Sequence, residues 1–422
     1  MNKYFNLVNY IKETLDDKKS NIIELMRYEL YGQLYSFGKH FKYPKENSRE
    51  CHYLLRDYTE YFSIKVIRNR GKQGGKKILS SAYSIWNNHL ADLGYDVWRP
   101  AWNLRRDFKI DTSVELYLIT KKITHSFNNC SFNYLISNDF FLIIEEYINL
   151  FRESCIKNSY AALIVPQDVG FFEKTAIKVF KDLNRPSFFW AHGGMPNIYD
   201  LKMDNRTDYS IQWGQKQVSA YINMGFDGSK FFISGHPVYN KKPESLRFDL
   251  DNILIITKCL NGASPLDELH FEDRGNAILY LNSIQRVLQG NGIKTVRLRP
   301  HPSENYEWYK KFIDNSFYVQ DKELFSNALI RSTLVIGPIS TSFIDSLYHQ
   351  VNYIVYEPVH NNLTIMDWPI APPLDGLDSR IPVARTESDL DSIIKSKLKI
   401  DVNIYEEFVR TPFDINFFNK LI

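Results

Sequence analysis

From Lys77 onward the chain alternates short apolar runs with amphipathic stretches of helical period, the rhythm of parallel strands joined by crossover helices. KKILSSA at 76–82 leads into a helix-like stretch ending at Gly94 and then YDVWRPAW at 95–102. AALIVPQD at 161–168 is followed by FFEKTAIKVFKDLN and SFFWAHGG, and YSIQWG at 209–214 by QKQVSAYINMGF and KFFISGHP. The polar stretch from Val238 to Leu250 has no regular period and reads as an interdomain linker. After it the alternation restarts: NILIITK reads as a strand, residues 274–292 as a helix, KTVRLRPHP as a strand with its exit loop, TLVIGPIST as a strand before a helix from about Ser342 to Tyr348, and YIVYEP as a last strand.

The expected organisation is therefore α/β, with two Rossmann-like domains facing a central cleft. The boundaries are a helical extension over 1–68, where no glycine occurs before Gly32, an N-terminal acceptor domain over 69–240, a C-terminal donor-nucleotide domain over 251–387, and an amphipathic helical segment over 388–422 packing back on the N-terminal domain. In such open sheets, ligands lie at the carboxyl ends of the strands, so the residues that carry chemistry are sought in post-strand loops.

Composition narrows the function. The chain has 422 residues, enough for two cores, and a net charge of +3 gives no whole-molecule case for nucleic acid. Basic stretches at Lys65–Lys77 and at Arg99, Arg105, Arg106 and Lys109 are candidates for contact with an anionic acceptor or the inner face of a membrane. Four widely spaced cysteines form no CxxC pair, which fits a reducing compartment. The first twenty residues are interrupted by charge, and no run approaches the roughly 20 apolar residues of a membrane span. The expected location is cytoplasmic, or peripheral on the cytoplasmic membrane.

Two segments of the C-terminal half carry the anion-binding expectation. In VRLRPHPSE, Pro300 and Pro302 hold His301 in an extended post-strand loop, where its imidazole can donate to a phosphate oxygen or protonate a leaving phosphate. In VIGPISTSFID, Ser340, Thr341 and Ser342 sit between a strand and a helix, where hydroxyls, amides and the helix dipole favour a phosphate. Asp345, one turn on, is placed for ribose hydroxyls, and Arg299, Arg297 or Lys258 for phosphate charge. Two DxD matches, at Asp249 and Asp389, fall outside post-strand loops, so no metal is called for.

In the N-terminal half, PQDVG places Asp168 just after an apolar strand, as an acceptor-activating base or an N-cap for the helix near Phe171. His192 follows another strand and precedes Gly193 and Gly194, which let backbone approach an acceptor closely. Either Asp168 or His192 is the base. His236, in GHPVYN, is expected to be structural or to line the hinge.

The order strand, RPHP, strand, STSFID, helix, strand resembles the donor domain of bacterial cell-surface transferases of the GT-B class. These include the sialyl- and polysialyltransferases with HP and S/T-S motifs, the Kdo transferases of capsule and lipopolysaccharide, and the CDP-glycerol glycerophosphotransferases of teichoic acid synthesis. The resemblance is strong over 252–358 and architectural elsewhere. It implies that His301, Pro302, Thr341 and Ser342 bind donor phosphate. AHGGMP is similar to the WHGTP segment of the glycerophosphotransferases, with Gly194 in place of Thr. The resemblance implies a glycosyltransferase, without metal or other cofactor, that moves a sugar from a nucleotide-sugar donor to a glycan or glycolipid acceptor. A CMP-activated acidic sugar, Kdo or a nonulosonic acid, is the expected donor. The alternatives are a CDP-polyol phosphotransferase and a non-catalytic subunit of the same fold.

Overall fold

The computed structural model describes residues 7–35, 58–62, 75–103, 108–111, 113–195, 206–257, 275–302, 304–360, 363–364 and 373–422. Lys258, Arg105, Arg106, Cys51, Cys259 and most of the basic stretch before Lys76 lie outside them.

Two wholly parallel sheets carry the chain. The first contains β1 (Lys77–Ser80), β2 (Asp96–Pro100), β3 (Lys109–Asp111), β4 (Ala162–Val165), β5 (Ser187–Trp190), β6 (Tyr209–Gln212) and β7 (Phe231–Ile233). Its spatial order is β3-β2-β1-β4-β5-β6-β7. The second contains β8 (Ile253–Ile256), β9 (Val296–Arg299), β10 (Tyr318–Gln320), β11 (Leu334–Gly337) and β12 (Asn352–Tyr356). After a short β13–β14 pair (Val359–His360, Leu363–Thr364), β15 (Val383–Ala384) completes it, in the order β10-β9-β8-β11-β12-β15. In each sheet the order reverses beside the first strand, the doubly wound topology of two Rossmann-like units. The reversal opens a crevice between β1 and β4 in one unit and between β8 and β11 in the other.

Strands buried on both faces read as continuous apolar runs, which is why ALIV and ILII show no alternation in sequence. Their side chains nevertheless divide with period two. Leu79, Leu163 and Val165 join a core beneath the helices of the first unit, whereas Ile78 and Ile164 face the opposite way. Ile253 and Ile255 face the outer helices of the second unit, while Leu254 and Ile256 face inward. The inward residues of both sheets share one core with Trp86, Trp190, Trp213, Phe343 and Phe408, so the units meet through apolar packing.

The N-terminal helix Asp17–Tyr35 sits on the outer face of the first unit, where Ile22, Ile23, Met26 and Leu30 enter its core. Between β3 and β4 run three helices, Val114–Asn129, Phe132–Leu135 and Asn138–Asn158, each started by a serine whose hydroxyl accepts an amide: Ser113, Ser131 and Ser137. The helix Glu387–Ser396 packs on the second unit, and the chain then returns to the first. There Arg410 N donates to Trp213 O at 2.9 Å and Asp414 N to Ser234 O at 2.8 Å. Gly235, at φ 76°, lies so close to Arg410 O that a Cβ would stand 2.2 Å from it. Among the described residues, no helix is long and apolar enough to cross a membrane.

Candidate functional site

The carboxyl ends of β8, β9 and β11 are neighbours, and each contributes a polar group. Thr257 follows β8, His301 follows β9 and Ser340–Ser342 follow β11. The His301 loop is built around Glu304. One carboxylate oxygen, Oε2, accepts from the His301 amide at 2.8 Å and from the Thr257 hydroxyl, and Oε1 accepts from Tyr309 Oη at 2.8 Å. The His301 amide also donates to Thr257 Oγ1 at 3.2 Å. With its backbone fixed in this way and with proline on each side, the imidazole stands exposed at the end of the strand.

The loop after β11 is anchored by another carboxylate. Buried Glu357 accepts the Ile339 amide at 2.6 Å, and the Tyr353 hydroxyl donates to Pro338 O at 2.6 Å. The helix Ser342–Tyr348 begins in a tight turn, in which Phe343 N donates to Ser340 O at 3.0 Å and Ile344 N to Thr341 O at 2.9 Å. Ser342 N lies 3.3 Å from Ser340 Oγ. The amides at this helix start are thus engaged within the turn, and the groups presented at the surface are the half-buried hydroxyls of Ser340 and Ser342, 3.3 Å apart.

Thr341 points across to the first unit. Its Oγ1 accepts the Gly194 amide at 3.2 Å, and a Cβ on Gly193 would lie 3.2 Å from the same oxygen. Gly194 is pressed between Ile344 and Trp213, so that a Cβ there would fall 2.2 Å from Ile344 Cδ1. The His-Gly-Gly segment and the Ser-Thr-Ser segment, 147 residues apart, are therefore in contact. His192, at the entrance to this contact, is exposed, and its Nδ1 is 3.0 Å from Pro166 O. Because a carbonyl only accepts, Nδ1 carries the proton of the neutral ring and Nε2 keeps its lone pair.

Asp168 is placed differently. It is fully buried, accepts the Arg206 amide at 2.9 Å, and faces the Arg206 guanidinium at 3.6 Å. It does not cap the helix Phe171–Asp182, whose N-cap is Gly170 and whose first amide donates instead to Glu29 Oε1 at 2.8 Å. Burial pushes Glu29 up to about 7.

Three residues read as donor contacts, Arg299, Arg297 and Asp345, are engaged within the protein. Arg299 donates to Asp321 at 2.9 Å and to Glu323 O at 2.6 Å, and its guanidinium lies over Phe325. Arg297 reaches the other oxygen of Asp321 at 2.8 Å. Asp345 accepts the Tyr239 hydroxyl at 2.5 Å, and burial raises its carboxyl to about 6 against that hydrogen bond. The residue that sequence reading overlooked is Tyr239, which comes from the linker. Its backbone oxygen accepts from Tyr405 Oη at 3.1 Å. The aromatic ring of His236 is enclosed by Trp86, Trp213 and Tyr239, with centroids 4.7, 4.3 and 4.5 Å away, and burial drives its pKa down to about 3. It is neutral packing at the hinge. Among the described residues, no group of three or more His, Cys, Asp or Glu could hold a metal.

No protein-family model matches the chain, and no curated protein matches it. Solved structures of two-unit α/β type are similar in fold. UDP-GlcNAc 2-epimerase of Methanocaldococcus jannaschii, in complex with UDP-GlcNAc and UDP, is 10% identical with a TM-score of 0.46, over 81% of this chain and 95% of that one. The lipopolysaccharide outer core galactosyltransferase WaaB is 11% identical with a TM-score of 0.46, over 82% and 97%. The wall teichoic acid polymerase TagF is 8% identical with a TM-score of 0.39, over 85% and 94%.

Proposed function

We propose that this chain is a GT-B transferase that binds a nucleotide-activated donor at the carboxyl edge of the second sheet and an acceptor hydroxyl at that of the first. The observation that carries the reading is the contact of Gly194 with Thr341 beside exposed His192, because it joins the two loops at which donor and acceptor are expected. His192 is the base. Its Nε2 lone pair faces solvent, whereas the Asp168 carboxylate is buried against Arg206.

In sugar transfer the acceptor oxygen forms a bond to the anomeric carbon as the bond from that carbon to the donor phosphate breaks. The electron pair leaves with CMP, and the acceptor proton passes to His192 Nε2. His301 and the hydroxyls of Ser340 and Ser342 receive the developing phosphate charge. A CMP-activated acidic sugar, Kdo or a nonulosonic acid, is the proposed donor, and a bacterial surface glycan the acceptor. The position of His192 also favours a second reading, in which the acceptor oxygen attacks the polyol-bearing phosphorus of a CDP-linked donor and CMP again departs.

Nucleotide binding tests the donor assignment. At roughly 100 times its dissociation constant, a ligand specific for the native state adds about 2.7 kcal/mol of stability, a measurable thermal shift. CMP or CDP is expected to raise the melting temperature more than UMP, UDP or GDP, and Ser342→Ala and His301→Ala to lose much of that shift. Because CMP departs in both readings, turnover separates them: release of CMP from a CMP-linked acidic sugar supports the first, and release of CMP from a CDP-linked polyol supports the second. A larger response to uridine or guanosine nucleotides overturns the cytidine assignment. Cytidine binding without donor turnover points to a non-catalytic subunit.

A further inference from the structure

At the carboxyl edge of the first sheet, two exposed rings meet across the crevice between β1 and β4. Tyr83 follows β1 and His192 follows β5, and β4 runs between those strands. The ring centroids are 6.2 Å apart and the planes are tilted by 41°, so the rings do not stack face to face. The loop that carries Tyr83 is held by buried polar side chains. Arg99, read from sequence as a contact for an anionic acceptor, is fully enclosed and donates instead to Ala82 O and, at 3.4 Å, to Ser80 O. Asn103 donates to Ser81 O at 2.7 Å, and buried Asn87 to Ala82 O at 3.4 Å.

Three successive carbonyls thus have side-chain donors, and the loop is fixed. Ser81 and Ala82 are buried in it, whereas Tyr83 keeps 43% of its surface exposed. Its side chain caps no amide of the helix Ser84–Asp92 that follows. An exposed ring on a fixed loop takes up a ligand with little loss of conformational freedom. The ring face carries the negative end of the aromatic quadrupole, which favours C–H bonds and disfavours phosphate. A pyranose gathers such C–H bonds on one face and projects its hydroxyls from the rim. We propose that the acceptor is a pyranose that lays its C–H face on Tyr83 and offers a rim hydroxyl to Nε2 of His192. The assignment rests on reading His192 as the base, and it disfavours an open-chain polyol phosphate as acceptor, which has no such face.

Saturation-transfer NMR on the full chain tests this with methyl β-glucopyranoside, methyl β-galactopyranoside and methyl N-acetyl-β-glucosaminide, and with glycerol 3-phosphate as the open-chain comparison. At least one pyranoside is expected to gain saturation chiefly on the protons of one ring face, and more of it than glycerol 3-phosphate gains. Tyr83→Phe is expected to keep that signal, whereas Tyr83→Ala, and Tyr83→Leu with bulk but no ring, lower it roughly fivefold or more. The CMP-induced melting shift, read on the same proteins, is expected to stay unchanged and reports that the fold and the donor site are intact. Absence of saturation on all the pyranosides, a signal retained in either non-aromatic variant, or equal saturation of glycerol 3-phosphate overturns the proposal. If CMP shifts melting while the pyranoside signal fails, the acceptor assignment alone falls. If pyranosides bind through Tyr83 and no nucleotide shifts melting, the sugar platform stands and the transferase reading falls.

Discussion

Asp168 and His192 follow adjacent parallel strands, β4 and β5, and open loops at the same edge of one sheet, yet their environments are opposed. The carboxylate turns inward, fully buried, and meets Arg206. The imidazole turns outward, fixed at one nitrogen and open at the other. A post-strand position selects candidates, but burial and the identity of the partner decide which of them can exchange a proton with a ligand. The loops are also linked, since the carbonyl that fixes His192 belongs to Pro166, two residues before Asp168.

The largest expected effect is at the exposed member. His192→Ala is expected to lower turnover about 100-fold or more, the scale of losing a general base, with the melting temperature nearly constant. Near-normal turnover in the folded variant would break the comparison at its functional end.

Asp168→Asn comes next. The amide can still accept from Arg206 N, but it leaves the guanidinium without its buried countercharge, so a stability loss of about 1–3 kcal/mol is expected by denaturant unfolding. Turnover per folded molecule is expected to stay close to wild type. If instead turnover collapses while stability holds, Asp168 is the base and the assignments exchange.

The smallest effect sharpens the rule at another carboxylate. Asp345 is raised to about 6 in the folded protein from an ordinary 3.8, so the native state binds its proton more tightly than the unfolded chain does. Its contribution is full below the unfolded value and fades as pH rises through about 6. The stability of wild type relative to Asp345→Asn is therefore expected to fall by roughly 1–3 kcal/mol between pH 4 and pH 7, since the partly buried group is screened to some extent. A difference independent of pH removes the role given to burial.

The strand rhythm was legible because parallel strands buried on both faces leave unbroken apolar runs, and the helix expected from about Ser342 to Tyr348 spans Ser342–Tyr348. What escaped was pairing at long range. The helix at Phe171 gains its first acceptor from Glu29, 142 residues earlier, so no local pattern distinguished Asp168 from an N-cap. Asp345 meets Tyr239 across 106 residues, and Arg299 meets Asp321 only once β9 and β10 lie side by side. The three helices between β3 and β4 had a local signal in Ser113, Ser131 and Ser137, each accepting an amide three residues on.

The return of the chain has a mechanical consequence. The polypeptide crosses from the first unit to the second through residues 238–250 and crosses back between Ile400 and Arg410, where the tail docks against Trp213 and Ser234. The second unit is in effect a long insertion held at two points, like a door on two hinges. Sliding or twisting of one sheet past the other would strain both crossings and the apolar core that the two units share. Tyr239 and Tyr405, hydrogen-bonded to one another, come from the two crossings, and Tyr239 also reaches Asp345 on the helix that begins with the presented hydroxyls. The two crossings thereby also anchor the helix that begins with the presented hydroxyls.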